Sequence, residues 1–528
     1  MDTVSSLFDR LEQLNDIGSS LSGERDINRL LEKILLAAKA ITQADGGTLY
    51  TVTEDRQRLQ FKILRTDSLN IAFGGSSSLP VPAHFKDLPL YLDDGRPNSH
   101  MVAAHVALTG QTANIVDAYQ ETRFDFSGPR RFDAATGYRS TSFLTVPMKN
   151  HEGEVIGVLQ LLNAIDPDTG SVRAFTPGDQ RLAESLGSQA AVALTNRQLI
   201  RQLEVLFESF VQLIDTAIDE KSAYTGGHCA RVPELTMMLA EAVNQTTEGP
   251  LAGFTLTEKD RYELRIAALL HDCGKITTPV HVVDKSTKLE TIFDRIELVA
   301  TRFAALKVQA QADMWRAVAG GEPQATARER CEAQCRQMDK DLAFLRLANR
   351  GSERMDDAAL VRVREMAQRY HWVDEQGREQ PLLNDNEVEN LSIRAGTLTA
   401  AEREVINHHI VATIHMLEKL PWPKHLAKVP EYAGGHHERM DGKGYPKGLK
   451  RDEMSLQARM MGIADIFEAL TAADRPYKSP MKLSQALKIM QNFKDNGHID
   501  PDLYDVFLAG RVPQQYAQRF LAESQRDC

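Results

Sequence analysis

The chain has 528 residues, more than one hydrophobic core organises, so two or more domains are expected. Its 42% hydrophobic and 26% charged residues are those of a globular protein, and no apolar run approaches the roughly 20 residues that cross a bilayer. A net charge of −11 argues against general attraction to a nucleic acid polymer or an anionic membrane, so an anionic substrate must find a local cluster of Lys and Arg.

The opening stretch "MDTVSSLFDRLEQLND" carries acids early and lacks a basic segment followed by an apolar one. It does not read as a secretory signal, and a cytoplasmic location is expected. The five cysteines are scattered and form no C-x-x-C pair, which argues against a disulfide framework. Cys331 and Cys335, four apart in a helical segment, read as two thiols without further ligands, and no function is assigned to them.

Residues 26–43 place apolar side chains at helical spacing, while "GTLYTV", "LQFKIL", "SFLTVPM" and "VIGVLQLL" read as strands, the last two joined by a turn at "NHEGEV". This order of helix, hairpin, loop-rich middle, hairpin and closing helix, over about residues 15–200, resembles a GAF domain. The resemblance implies an α/β sensory fold with an antiparallel sheet that binds a small molecule or pairs subunits. Asn163, Phe175 and Asp179 resemble part of the motif of cyclic-nucleotide-binding members, but Ala164 and Gln180 stand where Lys and Glu would, so the ligand stays open.

Over residues 180–218 apolar or small side chains fall at 182, 186, 193, 200, 203, 207, 210, 214 and 217, a rhythm of threes and fours interrupted by Gln189 and Asn196. One reading is an amphipathic helix packed on its own domain. The other, favoured because the stripe crosses a domain boundary, is a parallel coiled coil that joins two subunits into a homodimer.

Residues 219–510 are helical by pattern, with an insertion at about 287–400. Within it, residues 287–315 and 326–348 read as two long helices around the turn "AGGEPQ". Eleven of the fifteen histidines follow residue 200. "GGHCARVPEL" puts His228 just inside a helix, and "ALLHDCGK" sets His271 beside Asp272. Neighbouring side chains on a helix point about 100° apart, so both reach one ion only near a helix end, and Gly274 is expected to supply that break. "VINHHIVAT" adds His408 and His409, "GGHHERMDGKGYP" adds His436 and His437, and "ARMMGIADIFEAL" adds Asp465. A lone histidine is usually structural. Six or seven such positions at element ends are harder to attribute to packing, because buried polar groups are costly unless paired or metal-bound.

His228, the His271-Asp272 pair and Asp465 follow the ligand order of HD-superfamily phosphohydrolases. "HHERMDGKGYP" followed by "ADIFEALTAADRPYK" resembles the HD-GYP subfamily, bacterial cyclic di-GMP phosphodiesterases, over about residues 215–510 apart from the insertion. The resemblance implies an all-α catalytic domain holding two divalent metals, iron or manganese before zinc, bridged by Asp272. His228, His271 and Asp465 would complete one coordination sphere, and His409, His436 and His437 the other. His409 is chosen over His408 because Thr413 stands four positions after it. Some relatives carry a Glu four residues before the first His for a third metal, whereas this chain has Tyr224 there.

The resemblance assigns Arg475 and Lys478 to substrate phosphates and Lys275 to the phosphate or the catalytic water, with Tyr445 displayed at the pocket rim. Gly442 and Gly444 permit positive φ in the loop, and Glu438, Arg439 and Asp441 are expected to scaffold it. The function expected is metal-dependent hydrolysis of cyclic di-GMP to linear pGpG, or onward to GMP, under control of the GAF domain. The alternatives are a non-catalytic cyclic-dinucleotide receptor, a partner-binding protein, or a phosphohydrolase of another cyclic dinucleotide.

Overall fold

The computed structural model describes residues 24, 26–77, 79–83, 85–221, 227–351, 354–473 and 480–528. The chain divides into two compact units, Met1–Leu206 and Phe207–Cys528. No helix among the described residues is long and apolar enough to cross a membrane.

The first unit is built on one antiparallel sheet. Its strands are β1 (Ala44–Val52), β2 (Arg58–Thr66), β3 (Ile71–Gly74), β4 (Leu88–Pro89), β5 (Ala113–Ile115), β6 (Phe143–Lys149), β7 (Val155–Ile165) and β8 (Val172–Arg173), in the spatial order β3-β2-β1-β7-β6-β5, with β4 on β2 and β8 on β7. Side chains alternate across a sheet, so neighbouring residues of β1 serve two cores. Leu49 packs with Leu30, Ile34 and Leu35 of the helix Ile27–Thr42, whereas Tyr50 joins Val102, Phe126 and Phe143 in the second core. The unit is thus the antiparallel α/β sheet with helices that the sequence led us to expect.

The residues resembling a cyclic-nucleotide motif bind their own chain. Asn163 accepts the N–H groups of Thr141 and Ser142 and donates to Tyr138 Oη and the Arg139 carbonyl. Asp179 takes Arg173 at 2.6 Å.

A helix of 45 residues, Pro177–Lys221, leads out of the sheet and ends in the second unit. It spans on the order of 65–70 Å at about 1.5 Å per residue. Ala183, Leu186, Ala190 and Leu194 are buried in the core of the first unit, and Val211 and Ile218 in that of the second. Between them Leu199, Leu203, Leu206, Phe210 and Leu213 follow a spacing of four, three, four and three residues and are 46–64% exposed. Phe207, expected on the same seam, packs edge-on against Trp422 instead, with ring centroids 6.1 Å apart.

The second unit is helical apart from a short hairpin, β9 (His371–Val373) with β10 (Glu379–Pro381), inside the insertion. The insertion carries its own core, with Phe303, Leu345, Val363, Leu382 and Leu391 buried together. It is therefore a small subdomain rather than a bare helix pair. Its first long helix starts at Ile296, not near 287. Glu290 takes up the N–H groups of Ser286 and Thr287, and Asp294 takes that of Ile296, so side chains satisfy the backbone that a helix would have used. Two buried lysines reach groups of the subdomain. Lys285 donates to Asn390 and Glu402, and Lys288 to the Ile393 carbonyl at 2.6 Å.

Candidate metal centre

Five helices of the second unit and the turns that follow two of them bring the predicted ligands together. His228 is the first residue of the helix His228–Asn244. His271 and Asp272 lie where the helix Glu258–Leu270 gives way to a 3-10 turn, Cys273–Thr277, and this change of winding lets both face inward. His409 sits in the middle of the helix Ala400–Glu418, His436 and His437 just beyond the helix Val429–Gly434, and Asp465 within the helix Leu456–Thr471.

Gly274 works differently from expectation. Its backbone is not in the positive-φ region. A Cβ there would lie 2.0 Å from the His409 carbonyl oxygen and 2.5 Å from the Thr413 nitrogen, so the glycine is required for close approach of the turn to the His409 helix. The Gly274 N–H donates to Thr413 Oγ1 at 2.9 Å, which closes that contact. Gly444 likewise lacks positive φ and lies against the backbone of Glu438 and Arg439, whereas Gly442 has φ 75°.

Three of the imidazoles are held alike. Nδ1 of His271 donates to the Ala268 carbonyl, that of His409 to Ile406 and that of His436 to Ala433, at 2.5–2.7 Å. Each bond fixes the tautomer and leaves the Nε2 lone pair pointing inward. Two groups result, His228 with His271 and Asp272, and His409 with His436 and His437, each with donor atoms within 4.8 Å of one another. Asp272 stands between them. Its Oδ2 is 3.2 Å from Nε2 of both His228 and His271, and its Oδ1 is 3.2 Å from Nε2 of His409. Asp465 Oδ1 lies 3.3 Å from His228 Nε2.

The donor set fits a pair of cations. Nε2 of His271 approaches Nε2 of His228 to 3.4 Å, and Nε2 of His437 approaches that of His409 to 3.2 Å. Lone pairs facing at that distance repel unless a positive charge lies between them, and metal–nitrogen bonds of about 2.1 Å place neighbouring ligand nitrogens roughly 3.0–3.4 Å apart. Asp272 Oδ1 and His436 Nε2 are buried without a hydrogen-bond partner among the described residues, a cost that a metal removes. Burial holds His436 well below the ordinary imidazole range and His437 down at about 4, so both are neutral donors at neutral pH. Burial opposes charge on His228 too, but Asp272, Asp465 and Glu468 hold its proton well above the usual range, making that proton a competitor for a cation. Thiols stay out of the set, since burial pushes Cys273 up to about 11.

Lys275 Nζ rests 2.5 Å from Asp272 Oδ2, and its partly exposed side chain neutralises the carboxylate between the two groups. Tyr445 stacks on His437 with centroids 4.8 Å apart. His408, about 100° round the helix from His409, is exposed. Arg475 and Lys478, and Tyr224, lie outside the described residues.

Several supporting residues were not singled out from sequence. Glu468, fully buried, takes the back edge of His228 and also Arg231. It stands three positions after Asp465, one helical turn, and that spacing was its signal. Glu438, which was expected from the sequence to scaffold the loop carrying Tyr445, accepts the N–H groups of Lys447 and Leu449 at 2.7 and 2.8 Å. Lys221, the last residue of the long helix, donates to the carbonyls of Lys275 and Ile276.

Residues 26–194 match the GAF domain family, and residues 225–350 and 353–503 match two HD domain families. A 3'3'-cGAMP-specific phosphodiesterase of Vibrio cholerae is 38% identical over 136 residues, 26% of this chain and 30% of that protein. A cyclic di-GMP phosphodiesterase of Pseudomonas aeruginosa is 34% identical over 149 residues, 28% of this chain and 33% of that protein. The chain thus spans about a third of the length of these curated relatives. A solved GAF domain/HD domain protein from Geobacter sulfurreducens is 16% identical, with a TM-score of 0.23, covering 34% of this chain and 98% of that one.

Proposed function

The chain carries a GAF domain followed by an HD domain, and from that premise we propose that it is a metal-dependent phosphodiesterase that opens cyclic di-GMP to linear pGpG. The observation that carries the reading is Asp272, whose two oxygens face two separate imidazole groups at 3.2 Å. His228, His271, Asp272, Asp465, His409, His436 and His437 would hold two cations, iron or manganese by this donor set, which when bound would supply charge neutralisation for an in-line displacement at phosphorus. His228, His271 and Asp465 are the ligands on one side, and His409, His436 and His437 on the other.

The remaining steps fall to other side chains. Lys275 keeps the bridging carboxylate ionised and stands ready to meet a phosphate oxygen, and Tyr445 presents its ring at the rim beside His437. Arg475 and Lys478 are proposed for the substrate phosphates, which guanidinium and ammonium groups suit. A water oxygen forms the new bond to phosphorus, the bond from phosphorus to the 3′ oxygen breaks, and that oxygen takes up a proton. The product is a 5′-phosphorylated linear dinucleotide, and a second cut yields GMP.

Two further parts belong to this proposal. The exposed series from Leu199 to Leu213 has the four-and-three spacing of a coiled-coil seam, which supports a homodimer joined through that helix. A small ligand of the GAF domain would then bias the helix and through it the turn that Lys221 holds. A second reading, hydrolysis of a mixed guanine–adenine ring, is favoured by the activity named for the Vibrio cholerae relative.

The test is metal analysis of the purified full chain together with product analysis on cyclic di-GMP and 3'3'-cGAMP, with Asp272→Ala as control. About two metals per chain and linear product from the wild type are expected, with both lost in the variant. Metal-loaded wild type that leaves every cyclic dinucleotide intact would replace this reading with that of a receptor.

A further inference from the structure

A cavity of about 430 Å³ opens beside the histidines of the second unit. That volume suits a small-molecule site and corresponds to roughly 9 Å across, so a nucleotide-sized ligand spans it. Its lining includes His436, His437 and Asp465 of the candidate metal site, the basic side chains Arg439, Lys443 and His498, and the apolar Ile466 and Leu470.

The basic part of the lining is assembled from two segments distant in sequence. The Asp441 N–H donates to the Gly497 carbonyl at 2.9 Å, and that of Met440 to the His498 carbonyl at 3.4 Å, so the loop carrying Arg439 and Lys443 is bonded to the segment carrying His498. Asp441 braces Arg439 from behind through Nε and one terminal nitrogen, at 3.1 and 2.8 Å. The second terminal nitrogen of Arg439 is not part of that pair. Lys443 has only a distant contact with Asp441, at 3.8 Å, and its side chain is 77% exposed. His498 rests on Phe493, with centroids 4.6 Å apart, and its ring nitrogens take up no hydrogen bond among the described residues. Among the described residues lining the cavity, Asp465 is the one acid, and it belongs to the candidate metal site.

A cyclic dinucleotide carries two phosphodiesters in one ring. Only one can lie against the metals, and the other needs counter-charge a few ångströms away. We infer that Arg439, Lys443 and His498 form a second anion subsite, which receives the phosphodiester that is not being cut. This rests on the proposed hydrolysis of a cyclic dinucleotide, and it uses residues other than Arg475 and Lys478. The subsite separates a two-phosphate ring from a simple diester, because a single phosphate at the metals leaves it unused.

The experiment compares Lys443→Ala, His498→Ala and the double variant with the wild type, as full chains whose metal content has been measured. Substrates are cyclic di-GMP, 3'3'-cGAMP and bis(p-nitrophenyl) phosphate, which has one phosphate. Each single variant is expected to raise KM for the cyclic dinucleotides about tenfold, lowering the ratio of their kcat/KM to that of the small diester by the same factor, and the double variant to lower it further. Lys443→Arg is expected to keep most of the ratio. Ratios within about twofold of wild type in both single variants, with the wild type active on cyclic dinucleotides, overturn the subsite alone. A wild type that cuts the small diester and no cyclic dinucleotide overturns the subsite together with the functional reading. Should His498→Ala fail to fold, Lys443→Gln at its exposed position decides the matter.

Discussion

One oxygen of Glu468 lies 2.5 Å from Nδ1 of His228, while its other oxygen takes Nε of Arg231 at 2.7 Å. A buried carboxylate anchored on both sides thus turns the front nitrogen of His228 toward Asp272 and Asp465. Such outer partners typically account for about 10–100-fold in metal affinity. Glu468→Gln is expected to lose metal to a chelator at concentrations about tenfold or more lower than the wild type, and Glu468→Asp to fall between. Equal retention in all three proteins would remove Glu468 from the support of the site.

The contact between Gly274 and the His409 helix makes a second prediction. A methyl group at 274 would meet backbone at 2.0 Å, and neither the turn nor the helix can yield without moving a ligand. Gly274→Ala is expected to cost about 2–4 kcal/mol, read as a lowered Tm of the metal-free chain. Metal bound per chain should fall with it. An unchanged Tm would mean that the turn is free to withdraw.

Lys288 gives a pH prediction away from the metal centre. It is fully buried with no acid beside it, and burial lowers its ammonium from 10.5 to about 8. A lysine depressed in the folded state contributes stability above its unfolded value, and that contribution is lost as pH falls through the folded one. At pH 7 the buried charge is therefore a cost. Lys288→Met is expected to raise Tm at pH 7, by the equivalent of about 1–3 kcal/mol, with the gain shrinking as pH climbs from 8 toward 10.5. Thermal scans at pH 7 and pH 10 check the sign, and a gain that grows with pH contradicts it.

The exposed seam of the long helix is tested by charge. Leu206→Glu with Phe210→Glu places carboxylates on positions 52% and 56% exposed, where they disturb neither core. Sedimentation is expected to show the mass of one chain for the double variant and two for the wild type. A wild type with the mass of one chain would leave the stripe without a partner of its own kind.

Much of the fold was legible because its signals are local. The alternation in "FLTVPM" and "VIGVLQLL" and the helical spacing after Asp26 depend on a few neighbouring residues, and β6, β7 and the first described helix follow them. That His228, His271 and Asp272 would group, and His409, His436 and His437 likewise, was legible because so many histidines gather in this half of the chain. What stayed hidden depends on distant pairs. That Phe207 faces Trp422 rather than the seam, and that Gly274 is needed for proximity rather than for a turn, follow only once two elements have met. The start of the insertion's first helix was obscured by Glu290 and Asp294, whose side chains take up the backbone N–H groups in a stretch with helix-like spacing. The bond between Asp441 and Gly497 joins segments more than 50 residues apart, and no periodicity announces it.

Lys221 ends the 45-residue helix, and its ammonium grasps the carbonyls three and four places after Asp272. Any axial slip or roll of that helix is therefore delivered first to the peptide segment that follows Asp272. A signal arriving by this route need not block the cavity mouth or displace substrate. It would tune the separation of the two ion pockets, and so act on turnover rather than on access.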